Sequence, residues 1–169
     1  KIFVVDCGIK RPDVPQFGVD YINLGFSGNG RAEDKMIEYL SNNFNPSVFV
    51  MDYDHNAPDS IYLKKTHSKL FLSFRKKHPN TPVIMISKFN YFDPNESIIE
   101  SRKRKQIIMD TYQTALDSGD KNVYFIDGSK VFPRSIREHC TVDCCHPTDL
   151  GFYYIAKAII KVIEQNELL

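Results

Sequence analysis

The chain has 169 residues, 42% of them hydrophobic, which predicts one domain with a sizeable core. With 22 Lys and Arg against 21 Asp and Glu, its net charge of +1 argues against nucleic acid as the main partner. Its longest apolar runs, such as Val48–Met51 and Pro82–Ile86, are much too short to cross a bilayer. We therefore predict a single domain over residues 1–169, with no nucleic-acid partner and no membrane span.

Short apolar segments alternate with helical patterns along the chain. Strands are predicted at Ile2–Val5, Tyr21–Leu24, Val48–Met51, Pro82–Ser87 and Asn122–Ile126. Helices are predicted over about Ala32–Asn42, from Leu63 through Phe74 to about Lys77, over about Glu96–Leu116, and after Thr148, which can cap the last one. This alternation predicts an α/β protein, a three-layer α/β/α sandwich around a mostly parallel, five-stranded, flavodoxin-like sheet. Such sheets bind ligands beyond the carboxyl ends of their strands.

The connection between the first two strands is unusual. Parallel strands need a crossover of about a dozen residues or more, and the crossover is normally helical. The connecting residues 6–20 include two prolines and two glycines, so they predict no good helix. We expect this first crossover to be short or incomplete.

Asp143 and His146, just before the last predicted helix, carry the strongest chemical signal in the sequence. An Asp three residues ahead of a His, in a turn fixed by Pro147, can accept the imidazole Nδ1–H. The imidazole Nε2 is then left to act as a general base. An isolated pair at this spacing is more often a solvated loop pair, but its position beyond the sheet favours catalysis.

Two polar loops follow the second and third predicted strands. Residues 25–30 include three glycines, whose backbone N–H groups can approach a ligand and stabilise a developing oxyanion. Their spacing matches neither a phosphate-binding P-loop nor the G-x-S-x-G nucleophile elbow. In the second loop, residues 52–58, the side-chain amide of Asn56 can donate another hydrogen bond to an oxyanion.

Asp52, Asp54 and His55 in the second loop would also suit a metal site by residue type. Residues this close together cannot all face one ion in an extended loop, so we predict no metal there. A turn capped by its Asp side chains is the simpler interpretation. No motif in the chain calls for a cofactor.

Three of the four cysteines, Cys140, Cys144 and Cys145, crowd next to His146. A structural zinc site normally uses two separated pairs of ligands, and the sequence shows no second pair. A disulfide from Cys140 to Cys144 or Cys145 is the expected alternative for an exported protein.

Residues 102–105 read Arg-Lys-Arg-Lys within a predicted helix. In a protein with almost no net charge, such a run indicates a solvated helix face rather than a nucleic-acid site. The aromatic residues make up 12% of the chain and mostly fall at core positions such as Phe71, Phe74 and Phe125. They favour core packing over a sugar-stacking platform.

These loops resemble the sequence blocks of the SGNH hydrolases, and more narrowly their GDSL-like lipase/acylhydrolase branch. Residues 23–30 are similar to the family's second block, residues 52–58 to its third, and residues 140–152 to its fifth. The similarity runs from about Tyr21 to the C-terminus. It implies that Gly28 and Asn56 donate hydrogen bonds to the oxyanion and that Asp143 and His146 belong to a catalytic triad.

The family's first block, which follows the first strand and carries the nucleophilic serine, has no counterpart. No serine precedes Ser27, which already lies in the second block, and the corresponding place holds Cys7. Three explanations are open. A nucleophile loop is missing from the chain, which would also explain the first crossover; the protein is a degenerate, inactive relative; or Cys7 replaces the serine, activated by His146. A buried structural role is the commoner fate of such a cysteine.

The resemblance implies an SGNH-type esterase that hydrolyses small acyl esters, including acetyl groups on carbohydrates, without a cofactor. His146 would move the proton and Asp143 would orient His146. The alternative is a carbohydrate-binding or interaction module that keeps the fold and the pocket but lacks a nucleophile. A flavodoxin-like nucleotide binder is disfavoured because the chain has no phosphate loop and because that function would not explain the Asp–His pair.

Overall fold

A parallel sheet organises the protein. The computed structural model describes residues 2–5, 20–25, 28–89 and 97–169. Within these residues the strands are β1 (Ile2–Val5), β2 (Tyr21–Asn23), β3 (Val48–Met51), β4 (Val83–Ile86) and β5 (Val123–Ile126). They form one five-stranded sheet in the order β2-β1-β3-β4-β5, and every neighbouring pair is parallel. This flavodoxin-like order confirms the predicted fold class.

Helices cover both faces of the sheet. On one face lie α1 (Asp34–Asn43), α2 (Ser60–Lys77) and α3 (Ile98–Asp117), and on the other lies α4 (Asp149–Gln165). Phe49 and Met51 of β3 pack with the first three helices, whereas Val48 and Val50 pack with α4. Successive side chains of a strand point to opposite faces, so a strand covered on both sides must be apolar throughout. All four residues are at most 1% exposed.

The helices begin where a side chain can cap them. Asp59, Ser97 and Thr148 cap α2, α3 and α4, each by accepting a backbone N–H three residues further on. The cap at Thr148 confirms the prediction for the last helix. The first helix starts at Asp34 rather than at the predicted Ala32, because Ala32 has a φ of +55°, outside the right-handed helical region. In the part of the chain that the structure describes, none of the helices could span a membrane.

The charged run at residues 102–105 is only partly a solvated face. Its first two residues are exposed, but the prediction is wrong for Arg104, which is only 5% exposed. The reason is helical register, because Arg104 lies on the same buried stripe of α3 as Ser101 and Ile108. The predicted anomaly of the first crossover and the candidate nucleophile Cys7 fall at residues 6–19, outside the described residues.

Gly128 lies where the segment after β5 meets the end of β4. Its N–H donates to Ser87 Oγ at 3.0 Å, and a Cβ on it would lie 1.8 Å from Ser87 O and 2.5 Å from Lys88 O. Because these are backbone atoms, they cannot move aside cheaply.

We predict that Gly128→Ala lowers the free energy of unfolding by about 3 kcal/mol, measured by urea denaturation. The exposed Lys121→Ala is the control, and an equal loss in both variants would contradict this account.

The buried imidazole of His67 gives a second prediction. His67 on α2 is 1% exposed, and its Nδ1 lies 2.9 Å from Thr111 Oγ1 on α3. Burial lowers the pKa of His67 from 6.5 to about 3. Below pH 6.5 the unfolded chain therefore binds a proton that the folded protein does not. The free energy of unfolding consequently decreases as the pH is lowered from 6.5 to about 3, by up to about 1.4 kcal/mol per pH unit.

His67→Asn, which keeps a polar atom near the position of Nδ1, should be less stable at neutral pH but should lose this slope. Urea unfolding measured at several pH values between about 6 and 4 compares the two proteins, since that interval lies inside the window set by the two pKa values. Parallel curves for wild type and variant would show that His67 is not the group responsible.

Candidate active site

The predicted site residues that the structure describes gather at the carboxyl end of the sheet. Gly28 follows β2, Asn56 follows β3, and Asp143 and His146 precede α4. Gly28, Asn56 and Cys145 line one cavity of about 630 Å³. His146, the next residue after Cys145, is not among the described residues that line this cavity, and its side chain is 78% exposed. The structure thus places the Asp–His pair beside the cavity that holds the two predicted oxyanion donors.

Asp143 fixes the orientation of His146. Its Oδ2 lies 2.7 Å from His146 Nδ1, and its Oδ1 accepts the backbone N–H groups of His146 at 2.7 Å and Cys145 at 3.1 Å. The backbone N–H of His146, its imidazole and the Cys145 N–H together lower the pKa of Asp143 to about 2. Asp143 is therefore a carboxylate at neutral pH. A neutral His146 beside it carries its proton on Nδ1, which leaves the Nε2 lone pair available as a base.

The loop that carries this pair is a closed turn. Thr141 and Pro147 form an antiparallel bridge, and the backbone N–H of Val142 donates to His146 O at 2.8 Å. Cys144 takes a φ of +66° at the tip. Because the turn closes on itself, the three-residue spacing between Asp143 and His146 becomes a direct contact.

Gly28 needs the conformational freedom of glycine. Its φ of +82° lies in the left-handed region, which residues with a Cβ adopt only with strain. The carbonyl of Gly28 accepts a hydrogen bond from Arg31 Nε at 2.8 Å, and Arg31 also lines the cavity. The side chain of Arg31 therefore anchors the glycine at the cavity wall.

Asn56 ends a short 3₁₀ helix, Asp54–Asn56, that directly follows β3. Its backbone N–H donates to Tyr53 O at 3.0 Å. The side-chain Nδ2 of Asn56 is buried, yet no described residue accepts a hydrogen bond from it. Buried donors are normally paired, so an amide left open at a cavity wall is suited to an acceptor that arrives with a ligand.

A contact between His55 and Cys145 connects the Asn56 loop to the Asp143–His146 turn. Cys145 Sγ lies 3.8 Å from His55 Nδ1, and the imidazole of His55 stacks on Phe89 with ring centroids 5.8 Å apart. This contact joins residues that are 90 positions apart in the sequence. It brings two of the predicted blocks together at one place.

The expected disulfide of Cys140 is not formed, because Cys140, Cys144 and Cys145 all carry thiols. Cys140 is buried and its Sγ donates to Ile136 O at 3.5 Å, away from the turn that carries the other two. Burial raises the pKa of Cys140, which keeps it a neutral thiol. No three His, Cys, Asp or Glu residues within the described ranges are grouped so that they could hold a metal.

A second cavity, of about 650 Å³, lies between α2 and α3. Phe71, Ile107 and Ala115 line it, together with residues 118–122, which precede β5. This end of the sheet is opposite to the one where parallel α/β sheets bind ligands. None of the predicted site residues that the structure describes lines this cavity, so we place the site in the other one.

Sequence reasoning missed four charged residues that line the site cavity, Arg31, Lys88, Glu100 and Arg104. Arg31 directly follows the glycine loop, and the interpretation of that loop rested on its glycines alone. Glu100 and Arg104 lie on α3, which the sequence placed far from the predicted blocks. The helical register of Arg104 was the available signal, because its apolar neighbours at spacings of three and four mark the buried face.

The sequence profile of the GDSL-like Lipase/Acylhydrolase family matches residues 14–164. The chain belongs to this family. Membership confirms the resemblance that the three loops indicated and agrees with the predicted hydrolase class. No curated protein matches the sequence significantly.

Solved structures share the fold of this GDSL-like family member. One is a protein from Bacteroides ovatus ATCC 8483 described as a GDSL-like lipase, with a TM-score of 0.75 and 27% identity over 88% of this chain and 44% of that one. An active-site mutant of a family two carbohydrate esterase from Clostridium thermocellum matches with a TM-score of 0.68 and 15% identity, over 90% of this chain and 51% of that one. Axe2-W215I, an acetyl xylan esterase from Geobacillus stearothermophilus, matches with a TM-score of 0.66 and 18% identity, over 96% of this chain and 93% of that one. The chain thus spans about half the length of the first two proteins.

The tautomer of His146 tests the Asp143 contact directly. With a carboxylate at Nδ1, we expect the neutral imidazole to carry its proton on Nδ1 and to leave Nε2 unprotonated. Long-range ¹H–¹⁵N NMR spectra of the imidazole at alkaline pH would show this as a pyridine-like Nε2 signal. Asp143→Ala should move the signal toward a tautomer mixture, whereas Asp149→Ala, the next acidic residue along the chain, should not. A wild-type imidazole protonated on Nε2 would contradict the geometry.

Proposed function

We propose that this protein is an esterase that hydrolyses small acyl esters through an acyl-enzyme intermediate. The observation that supports this most is the buried Asn56 Nδ2, which lacks an acceptor within the described residues and lies in the same cavity as Gly28. Two donors at one cavity wall, beside a carboxylate-oriented imidazole, make the arrangement that acyl transfer needs.

Each residue has one task in the proposed reaction. His146 Nε2 takes the proton of the nucleophile, which then attacks the ester carbonyl carbon. The carbonyl oxygen becomes an oxyanion and accepts hydrogen bonds from the Gly28 N–H and the Asn56 amide. The His146 imidazolium, stabilised by Asp143, gives its proton to the leaving alcohol. A water molecule, deprotonated by His146, then attacks the acyl-enzyme and releases the acid and the nucleophile.

The nucleophile belongs after β1, and Cys7 is the nucleophilic side chain that the sequence has there. A thiolate formed by proton transfer to His146 can carry an acyl group as a thioester. Substitution distinguishes the possibilities, because Cys7→Ala would abolish turnover by a Cys7 nucleophile and would leave a serine enzyme active.

Acetyl esters of carbohydrates are the substrates we propose. The likeness to an acetyl xylan esterase and to a family two carbohydrate esterase supports this class. The charged lining of the cavity, which includes Arg31, Asp59 and Glu100, suits hydroxyl groups better than a long acyl chain. The second candidate is a carbohydrate-binding module, which the absence of any serine before Ser27 favours.

Hydrolysis of p-nitrophenyl acetate tests the esterase. We expect His146→Ala to lower kcat by about 10³-fold and Asn56→Ala by about 10²- to 10³-fold. His139→Ala, which removes an exposed histidine seven residues away, should behave as wild type. If the folded wild type hydrolyses the ester no faster than His146→Ala, the proposed esterase function is wrong. Calorimetric binding of an acetylated xylo-oligosaccharide then tests the binding module.

A further inference from the structure

Arg104 is an unusual residue to bury. It is only 5% exposed on α3, although its neighbour Arg102 is exposed. A guanidinium withdrawn from water is strongly destabilising unless hydrogen bonds and charges compensate it. Its partners therefore show what the fold gains from placing it there.

Two of these partners are backbone carbonyls that bracket Asn56. One terminal nitrogen of Arg104 donates to Asp54 O and the other donates to Ala57 O at 3.0 Å. Asp54 begins the 3₁₀ helix that Asn56 ends, and Ala57 is the next residue. The planar fork of a guanidinium donates in two fixed directions, which the single ammonium of a lysine does not reproduce. Arg104 therefore holds both ends of the turn that carries Asn56.

Glu100, one helical turn earlier on α3, completes the attachment. One of its carboxylate oxygens lies 3.6 Å from Arg104 Nε and also accepts the backbone N–H of Ser60. The other accepts the Ser60 hydroxyl at 3.0 Å. Ser60 is the first residue of α2. The segment after β3 is therefore bound to α3 at both ends, at its start by Arg104 and at its end by Glu100.

We propose that Arg104 is the positioning residue of the oxyanion hole. It does not react, but it sets where the Asn56 amide stands in the cavity. This inference rests on the proposed esterase function, which gives that amide its purpose. A donor stabilises the transition state best at about 2.7–3.1 Å from the oxyanion, so a loosened turn should weaken catalysis more than binding.

Arg104→Lys tests the proposal because it keeps the charge and removes the fork. We expect kcat for p-nitrophenyl acetate to fall by about 10- to 100-fold, with KM changed by less than about twofold. Arg102→Lys, the same substitution two residues away on the exposed face, should leave both constants unchanged. Glu100→Gln keeps the shape of the side chain and should lower kcat by a smaller factor. It also serves as the second variant if Arg104→Lys folds poorly.

A readout that needs no turnover separates this inference from the proposed function. The ¹H–¹⁵N signal of the Asn56 side-chain amide, assigned with Asn56→Asp, reports whether the amide is held in one place. We expect the signal to shift toward that of a mobile amide in Arg104→Lys and to stay in place in Arg102→Lys.

Two results would overturn the positioning role. One is an unchanged Asn56 signal in both Arg104→Lys and Glu100→Gln, and the other is a KM effect in place of the kcat effect. An inactive wild type would contradict the esterase alone, and the amide signal would still decide the role of Arg104.

Discussion

The carboxylate of Asp54 connects the loop after β3 to the end of β4, and the site depends on this contact. Its Oδ2 accepts the backbone N–H of Lys88 at 2.9 Å, where both residues are at most 5% exposed. A buried carboxylate is costly without such bonds, so the loop is held firmly against the sheet. Arg104 then holds the Asp54 carbonyl from α3. Asn56, two residues further on, is therefore held in a fixed position at the cavity wall.

Much of this arrangement could be predicted because the signals are local. The bounds of β3 were predicted at Val48–Met51, because an apolar run buried on both faces ends sharply at a polar residue. The contact between Asp143 and His146 spans three residues and lies within one turn, so their spacing and the following Pro147 indicated it. The parallel sheet with helices on both faces could be predicted from the alternation of strands and helices.

What sequence reasoning missed depends on contacts between distant residues. Arg104 lies within a run of charges, and charge alone suggested solvent, while helical register placed it on the buried face. Its carbonyl partners are 47 and 50 positions away, and nothing in the sequence pairs an arginine with a backbone oxygen. The contact of His55 with Cys145 spans 90 positions and was equally out of reach. Register predicts which face is buried, but only the packed structure shows what that face meets.

A covalent adduct with an alkyl trifluoromethyl ketone tests the central claim most directly, because it imitates the tetrahedral intermediate and forms with a hydroxyl or a thiol nucleophile. The account predicts that the wild type forms this adduct and that His146→Ala does not. In a crystal structure of the adduct, the oxygen of the former ketone should lie about 3 Å from Asn56 Nδ2 and from the Gly28 nitrogen. No adduct with the folded wild type, or an adduct oxygen that points away from Asn56, would contradict the account.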